Sequence, residues 1–115
     1  MLVLSRLWNA VKLNINKSLK PEPLLATHNP TEFKQWARQF KAYYRSSNME
    51  ILEIPDQQIY LQSCVEAKLF SRIYTKVGDN TPIFDDTGAN DSCMNYLLQD
   101  LQERWPLFNR RLAFF

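Results

Sequence analysis

The sequence predicts an all-α fold, a compact bundle of four to five helices, and three observations lead there. Apolar residues recur three and four apart along most of the chain, the spacing that lines one face of a helix. Only two of the 115 residues are glycine, too few for a turn-rich β fold. The six prolines fall between the periodic stretches, where they punctuate helices instead of breaking them.

The elements follow in chain order. Residues 2–13 place Leu4, Leu7, Trp8 and Val11 on one helical face. Lys20-Pro21-Glu22-Pro23 then opens a breaker-rich linker that is expected to run loosely to His28. The main body is expected to begin at Asn29, so that residues 1–28 form a basic leader helix with its linker and residues 29–115 the helical domain. Asn29 can cap a helix, Pro30 suits its first position and Glu32 can close a capping box. Behind that signal Phe33, Trp36, Ala37, Phe40 and Tyr44 recur at helical spacing up to Ser46-Ser47-Asn48.

Ile51, Leu52 and Ile54 make a short apolar connector before Pro55. From Asp56 to Val77, Leu61, Val65, Leu69, Ile73 and Val77 step by four, which predicts one long helix or two with a kink near Glu66-Ala67. Gly78 is the expected stop. Residues 79–90 read as a polar loop around Pro82-Ile83-Phe84. A further helix is expected from Asp91 to Trp105, with Met94, Leu97, Leu98, Leu101 and Trp105 on one stripe and Asn90 or Asp91 as its cap. Pro106 then starts a last segment in which Leu107, Phe108, Leu112 and Phe115 trace another apolar face.

A chain of this length forms one domain able to bury roughly two-thirds of its unfolded surface, and its hydrophobic content of 45% is ample for a core. The net charge of +2 conceals an asymmetry. Residues 1–20 hold Arg6, Lys12, Lys17 and Lys20 and no acid, which leaves ten of the fourteen basic and all twelve acidic side chains to the rest. That body lacks the concentrated basic face of a dedicated nucleic-acid binder. Cys64 and Cys93 sit at apolar helical positions and are expected as buried free thiols in a reducing, intracellular compartment, the cytoplasm. No run of about eighteen apolar residues is present, so no membrane span is expected.

The basic, acid-free leader admits a mitochondrial presequence or a membrane-surface helix as minor alternatives to a helix that packs on the domain or on partner chains. Leu2 after Met1 excludes myristoylation.

The landmarks taken together resemble a known family. They are Phe33-x-x-Trp36-x-x-x-Phe40-x-x-Tyr43-Tyr44, then Tyr60-Leu61-x-x-Cys64, and finally Leu97-x-x-x-Leu101-x-x-x-Trp105-Pro106-Leu107-Phe108-x-Arg110-Arg111-Leu112-x-Phe114-Phe115. Their order and spacing resemble the amino-terminal lobe of the capsid region in Gag polyproteins of Ty3/Gypsy-type long-terminal-repeat retrotransposons, over about residues 31–115. The resemblance implies a helical, non-enzymatic structural protein that self-associates, in a retrotransposon particle or as the product of a host gene derived from one. It implies further that a second, smaller lobe follows in relatives, so the domain is expected to be truncated at its C-terminal end. The expected partners are further copies of the chain or that second lobe, through Leu107, Phe108, Leu112, Phe114 and Phe115. RNA contact is expected to be weak, because the lone His28 has no cysteine near it and no zinc knuckle can form.

Two other signals point elsewhere. Asp86-Thr87-Gly88-Ala89 matches the tetrapeptide that carries the catalytic carboxylate of retroviral-type aspartic proteases. That chemistry needs a β-rich protomer and a glycine-containing flap, and neither is present here, so the tetrapeptide is read as a turn. Lys34, Arg38, Lys41 and Arg45 form a basic line beside the apolar face of the Asn29–Asn48 helix. It suits either a polyanion contact or, more simply, a solvated stripe whose long stems cover the core edge. Trp36 and Trp105 fall on core stripes and are read as buried, not as base-stacking platforms. With one histidine, isolated cysteines and no glycine-rich phosphate loop, no catalytic residue, cofactor, metal or small-molecule substrate is expected. The alternatives to a Gag-like lobe are a helical adaptor that binds a partner peptide or helix, and a nucleic-acid-binding helical domain.

Overall fold

Asn29 starts the first helix through a reciprocal capping box. Its side-chain oxygen accepts from the Glu32 backbone N–H at 2.8 Å, and the Glu32 carboxylate accepts from the Asn29 N–H at 3.2 Å. In this computed structural model, which describes residues 13–85 and 91–104, helix α1 spans Pro30–Ser46 with the proline in its first turn. The face carrying Phe33, Trp36, Phe40 and Tyr43 is buried. Ser47 closes the helix, and Asn48 follows with φ of 59°, the left-handed conformation that asparagine tolerates better than most residues. A 3-10 turn over Met49–Ile51 leads on to helix α2, Ile54–Gln62. Helices α3, Ala67–Ile73, and α4, Cys93–Arg104, complete the four α-helices among the described residues.

The long periodic stretch is divided into two helices, the second of the two expected forms. The backbone of residues 63–66 leaves the helix because the segment around Leu24 captures its hydrogen bonds. The Leu24 N–H donates to the Cys64 carbonyl at 2.9 Å, and the Glu66 N–H donates to the Leu24 carbonyl at 2.8 Å. Leu24 and Val65 thereby form a single parallel bridge. The Glu66 carboxylate also accepts from the Ala26 N–H at 2.9 Å. Segment 20–28 is therefore no loose linker: Pro21, Leu24 and Ala26 are buried, and Leu24 is wholly inaccessible. Leu13, Ile15 and Leu19 pack against the same core, so residues upstream of Asn29 belong to the folded unit. The remainder of the expected leader helix, residues 2–12, lies outside the described residues.

Three further expectations are amended. Helix α3 ends at Ile73, five residues before Gly78, and Gly78 does not adopt the left-handed conformation of a helix-terminating glycine. Instead its N–H donates to the Thr81 hydroxyl at 2.9 Å and its carbonyl accepts from the Thr81 N–H at 3.0 Å. The loop beyond it was expected to be polar, yet Ile83 is buried and Phe84 packs on the aromatic face of α1. Helix α4 is capped by Ser92, whose hydroxyl accepts from the Asn95 N–H at 3.2 Å; Asp91 instead accepts from the Tyr96 hydroxyl at 2.7 Å. The first N–H groups of α4 are satisfied by the loop: Cys93 donates to the Pro82 carbonyl and Met94 to the Ile83 carbonyl.

One hydrophobic core joins these elements. Phe33, Trp36, Phe40 and Tyr43 of α1 meet Leu61 of α2, Leu69, Phe70 and Ile73 of α3, and Cys93, Met94, Leu97 and Leu101 of α4. Each side chain of this size that leaves water stabilises the fold by about 1.5–3 kcal/mol. Trp36 carries an internal cost, since its indole N–H is buried with no hydrogen-bond partner. Trp36→Phe should therefore be mild, about 1 kcal/mol or less, because it removes that donor while keeping an aromatic ring. Phe40→Ala should cost about 3–5 kcal/mol in equilibrium denaturation. Equal losses from the two variants would contradict this account.

Burial pushes the Cys64 thiol up and that of Cys93 up to about 12. Above the ordinary thiol value of 9.0 the unfolded chain releases the Cys93 proton while the folded chain retains it. Stability should accordingly fall as pH rises from about 9 towards about 12, by on the order of 2 kcal/mol near the middle of that range. Denaturation curves across that range for the chain and for Cys93→Ala check this; the variant should lose that part of the slope.

Candidate functional site

Helix α1 presents the basic line on its solvent side. Lys34, Arg38 and Arg45 are exposed and Lys41 is half-buried. None of the four forms a salt bridge with an acidic side chain among the described residues. Lys41 differs from the others because its ammonium lies 5.4 Å from the centroid of the Phe84 ring, within cation–π range. The Phe84 ring in turn meets Tyr44 edge-on at 5.2 Å.

This packing leaves a cleft of about 260 Å³ between α1, the start of α2 and loop 82–84. Lys41 and Arg45 stand at the cleft with Tyr44, Gln57, Phe84 and Glu50. The Tyr44 hydroxyl donates to the Gln57 side-chain carbonyl at 2.9 Å, and the Gln57 amide donates to the Leu52 carbonyl at 2.8 Å. Both uncharged polar side chains of the cleft wall are thus tied into the fold. The arrangement offers two cations and one carboxylate, a surface able to contact an anion, with no nucleophile paired to a base.

The structure brings Lys41 and Arg45 together at this cleft and leaves Lys34 and Arg38 farther along the helix. Sequence spacing identified the four cations but not their aromatic neighbour. Phe84 lies forty-three residues beyond Lys41, in a stretch whose composition suggested solvent. Leu107, Phe108, Leu112, Phe114 and Phe115 lie outside the described residues, as do residues 86–90 with the Asp-Thr-Gly-Ala tetrapeptide.

Several other titratable groups are engaged within the fold. Cys64 and Cys93 are both free and buried. His28 accepts from the Leu25 N–H through Nδ1 at 3.0 Å. Burial raises the Asp100 carboxyl above its usual range, against the opposing charges of Arg72 and Lys76. Asp100 lies 3.4 Å from Arg104, near enough for an ion pair but not aligned as a hydrogen bond. No group of three or more His, Cys, Asp or Glu side chains that could hold a metal occurs among the described residues. No described helix is long and apolar enough to cross a membrane.

No family model matches the chain, and the searches of curated proteins and of solved structures found no match.

The geometry separates the members of the basic line. Lys34→Ser and Arg38→Ser should each change stability by less than about 0.5 kcal/mol, whereas Lys41→Ser should lose about 0.5–1 kcal/mol with the Phe84 contact. Thermal unfolding of the three variants checks this ordering. If the line contacts a polyanion, affinity for single-stranded RNA should fall steeply with added salt, and the Lys34→Ser/Arg38→Ser double variant should flatten that dependence.

Proposed function

We propose that the chain is a non-enzymatic protein-association module, a Gag-like capsid amino-terminal lobe from a retrotransposon particle or from a host gene derived from one. One observation carries the proposal: the apolar residues of the resemblance that lie among the described residues share a single core. Phe33, Trp36, Phe40, Tyr43, Leu61, Cys64, Leu97 and Leu101 are all buried in it, and Tyr44 and Tyr60 pack against it. Side chains far apart in sequence then act as one fold signature, the condition under which their order and spacing carry information about ancestry. The all-α architecture agrees with the same reading.

The mechanism is burial of apolar side chains between subunits. Leu107, Phe108, Leu112, Phe114 and Phe115 supply the candidate surface, and a second copy or a second capsid lobe would cover it. Association of this kind is driven by apolar burial and strengthened by salts that are excluded from protein surfaces.

The purified chain should self-associate as concentration and salt rise, and the Phe114→Asp/Phe115→Asp double variant should weaken that association by tenfold or more, on the order expected when two large apolar anchors are lost. Light scattering and sedimentation equilibrium measure this directly. A monomer at every concentration and salt level would remove the proposal.

A further inference from the structure

A second apolar surface lies apart from the basic cleft. A groove of about 460 Å³ runs between residues 15–20 and α2. Buried Tyr43 forms its floor, and Ile15, Ile59 and Tyr60 line it. Ile59 is 61% exposed, one of three exposed large apolar side chains among the described residues. A branched aliphatic side chain gains nothing for the fold in that position, whereas a partner that covers it gains the burial.

The edge of the groove decides what suits it. The charged side chains that line it are Lys17 and Lys20, both exposed, and no acidic side chain lines it. The chain's own terminal segments are poorly matched: residues 1–12 carry Arg6 and Lys12, residues 105–115 carry Arg110 and Arg111, and neither contains an acid. Placing either segment in the groove would set like charges beside the two lysines, which costs free energy and disfavours that pairing. An apolar anchor with carboxylates on either side meets both requirements at once.

We propose that this groove binds a short segment of another protein that presents a bulky apolar side chain flanked by aspartate or glutamate. The groove is lined by residues other than those assigned to self-association, so either reading can fail without the other. Lys17 and Lys20 select the partner by charge, and Ile59 with Tyr60 supplies the contact area.

The test is a titration of the methyl-labelled full chain with two synthetic peptides that share a Leu-Ile-Phe centre. One peptide is flanked on both sides by Asp-Glu and the other by Lys-Arg. The acid-flanked peptide should shift the methyl resonances of Ile15 and Ile59 and bind roughly three- to tenfold tighter at low salt, a preference that shrinks when salt screens the exposed charges. Ile59→Asp should abolish the shift of the remaining Ile15 methyl resonance. Lys17→Glu/Lys20→Glu should reverse the preference, and these exposed substitutions keep the test sharp should Ile59→Asp disturb folding. The proposal is overturned if neither peptide shifts Ile59 at millimolar concentration or if both bind equally. It is also overturned if raising the protein concentration alone shifts Ile59, which would place a second copy in the groove.

Discussion

Phe40 has no solvent-accessible surface, and its ring meets those of Trp36, Tyr43, Tyr44 and Phe84 at centroid distances between 5.3 and 6.4 Å. Three of those rings lie on its own helix and one arrives from the loop before α4. The contact with Phe84 draws the loop over α1, and the loop then delivers the Pro82 and Ile83 carbonyls to the first N–H groups of α4. The position of the last described helix is thus set through an aromatic cluster on the first. Core packing of this density admits few alternative arrangements, because a shift of one ring displaces its neighbours.

Buried and half-buried polar side chains fix the segments that helices cannot. The Ser47 hydroxyl and carbonyl accept from the Asn16 and Asn14 N–H groups, which ties residues 14–16 to the end of α1. The Gln58 amide donates to the carbonyls of Gly78 and Thr81, both at 2.9 Å, and so holds the turn after α3 against α2. Glu66 and Arg104 do the same for residues 24–26: the Glu66 carboxylate accepts from the Ala26 N–H, and Arg104 donates to the Ala26 carbonyl at 3.0 Å. Each bond satisfies a backbone group in an irregular segment, and each therefore specifies where that segment runs.

The surface that remains falls into two chemically different parts. One side of α1 carries four cations, of which Lys41 leans on the Phe84 ring, a solvated face with limited capacity for an anion. Beside α2 an isoleucine and a tyrosine remain partly uncovered under two lysines. The contrast follows from the core: α1 turns its aromatic stripe inward, so its polar side faces water, whereas α2 spends Gln57, Gln58 and Leu61 on internal contacts and leaves Ile59 outside.

The sequence alone determined the fold class, the position of α1 with its Asn29–Glu32 cap, and the apolar stripes of α3 and α4. These depend on interactions between residues a few positions apart, so periodicity and local capping chemistry record them. What only the tertiary structure decided involves residues far apart in the chain. The break at 63–66 depends on Leu24 and Ala26, about forty residues upstream; the burial of Ile83 and Phe84 depends on the aromatic face of α1; the identity of the α4 cap depends on how the loop docks. Composition marked 20–28 and 79–85 as linker and loop because proline and polar residues dominate them, yet Leu24 and Ala26 of the first and Ile83 of the second are buried in the core. The basic line was legible as charge, and its pairing of Lys41 with Phe84 was not. The groove at Ile59 was not legible either, because a surface is defined by what the rest of the chain fails to cover, and no local pattern encodes that.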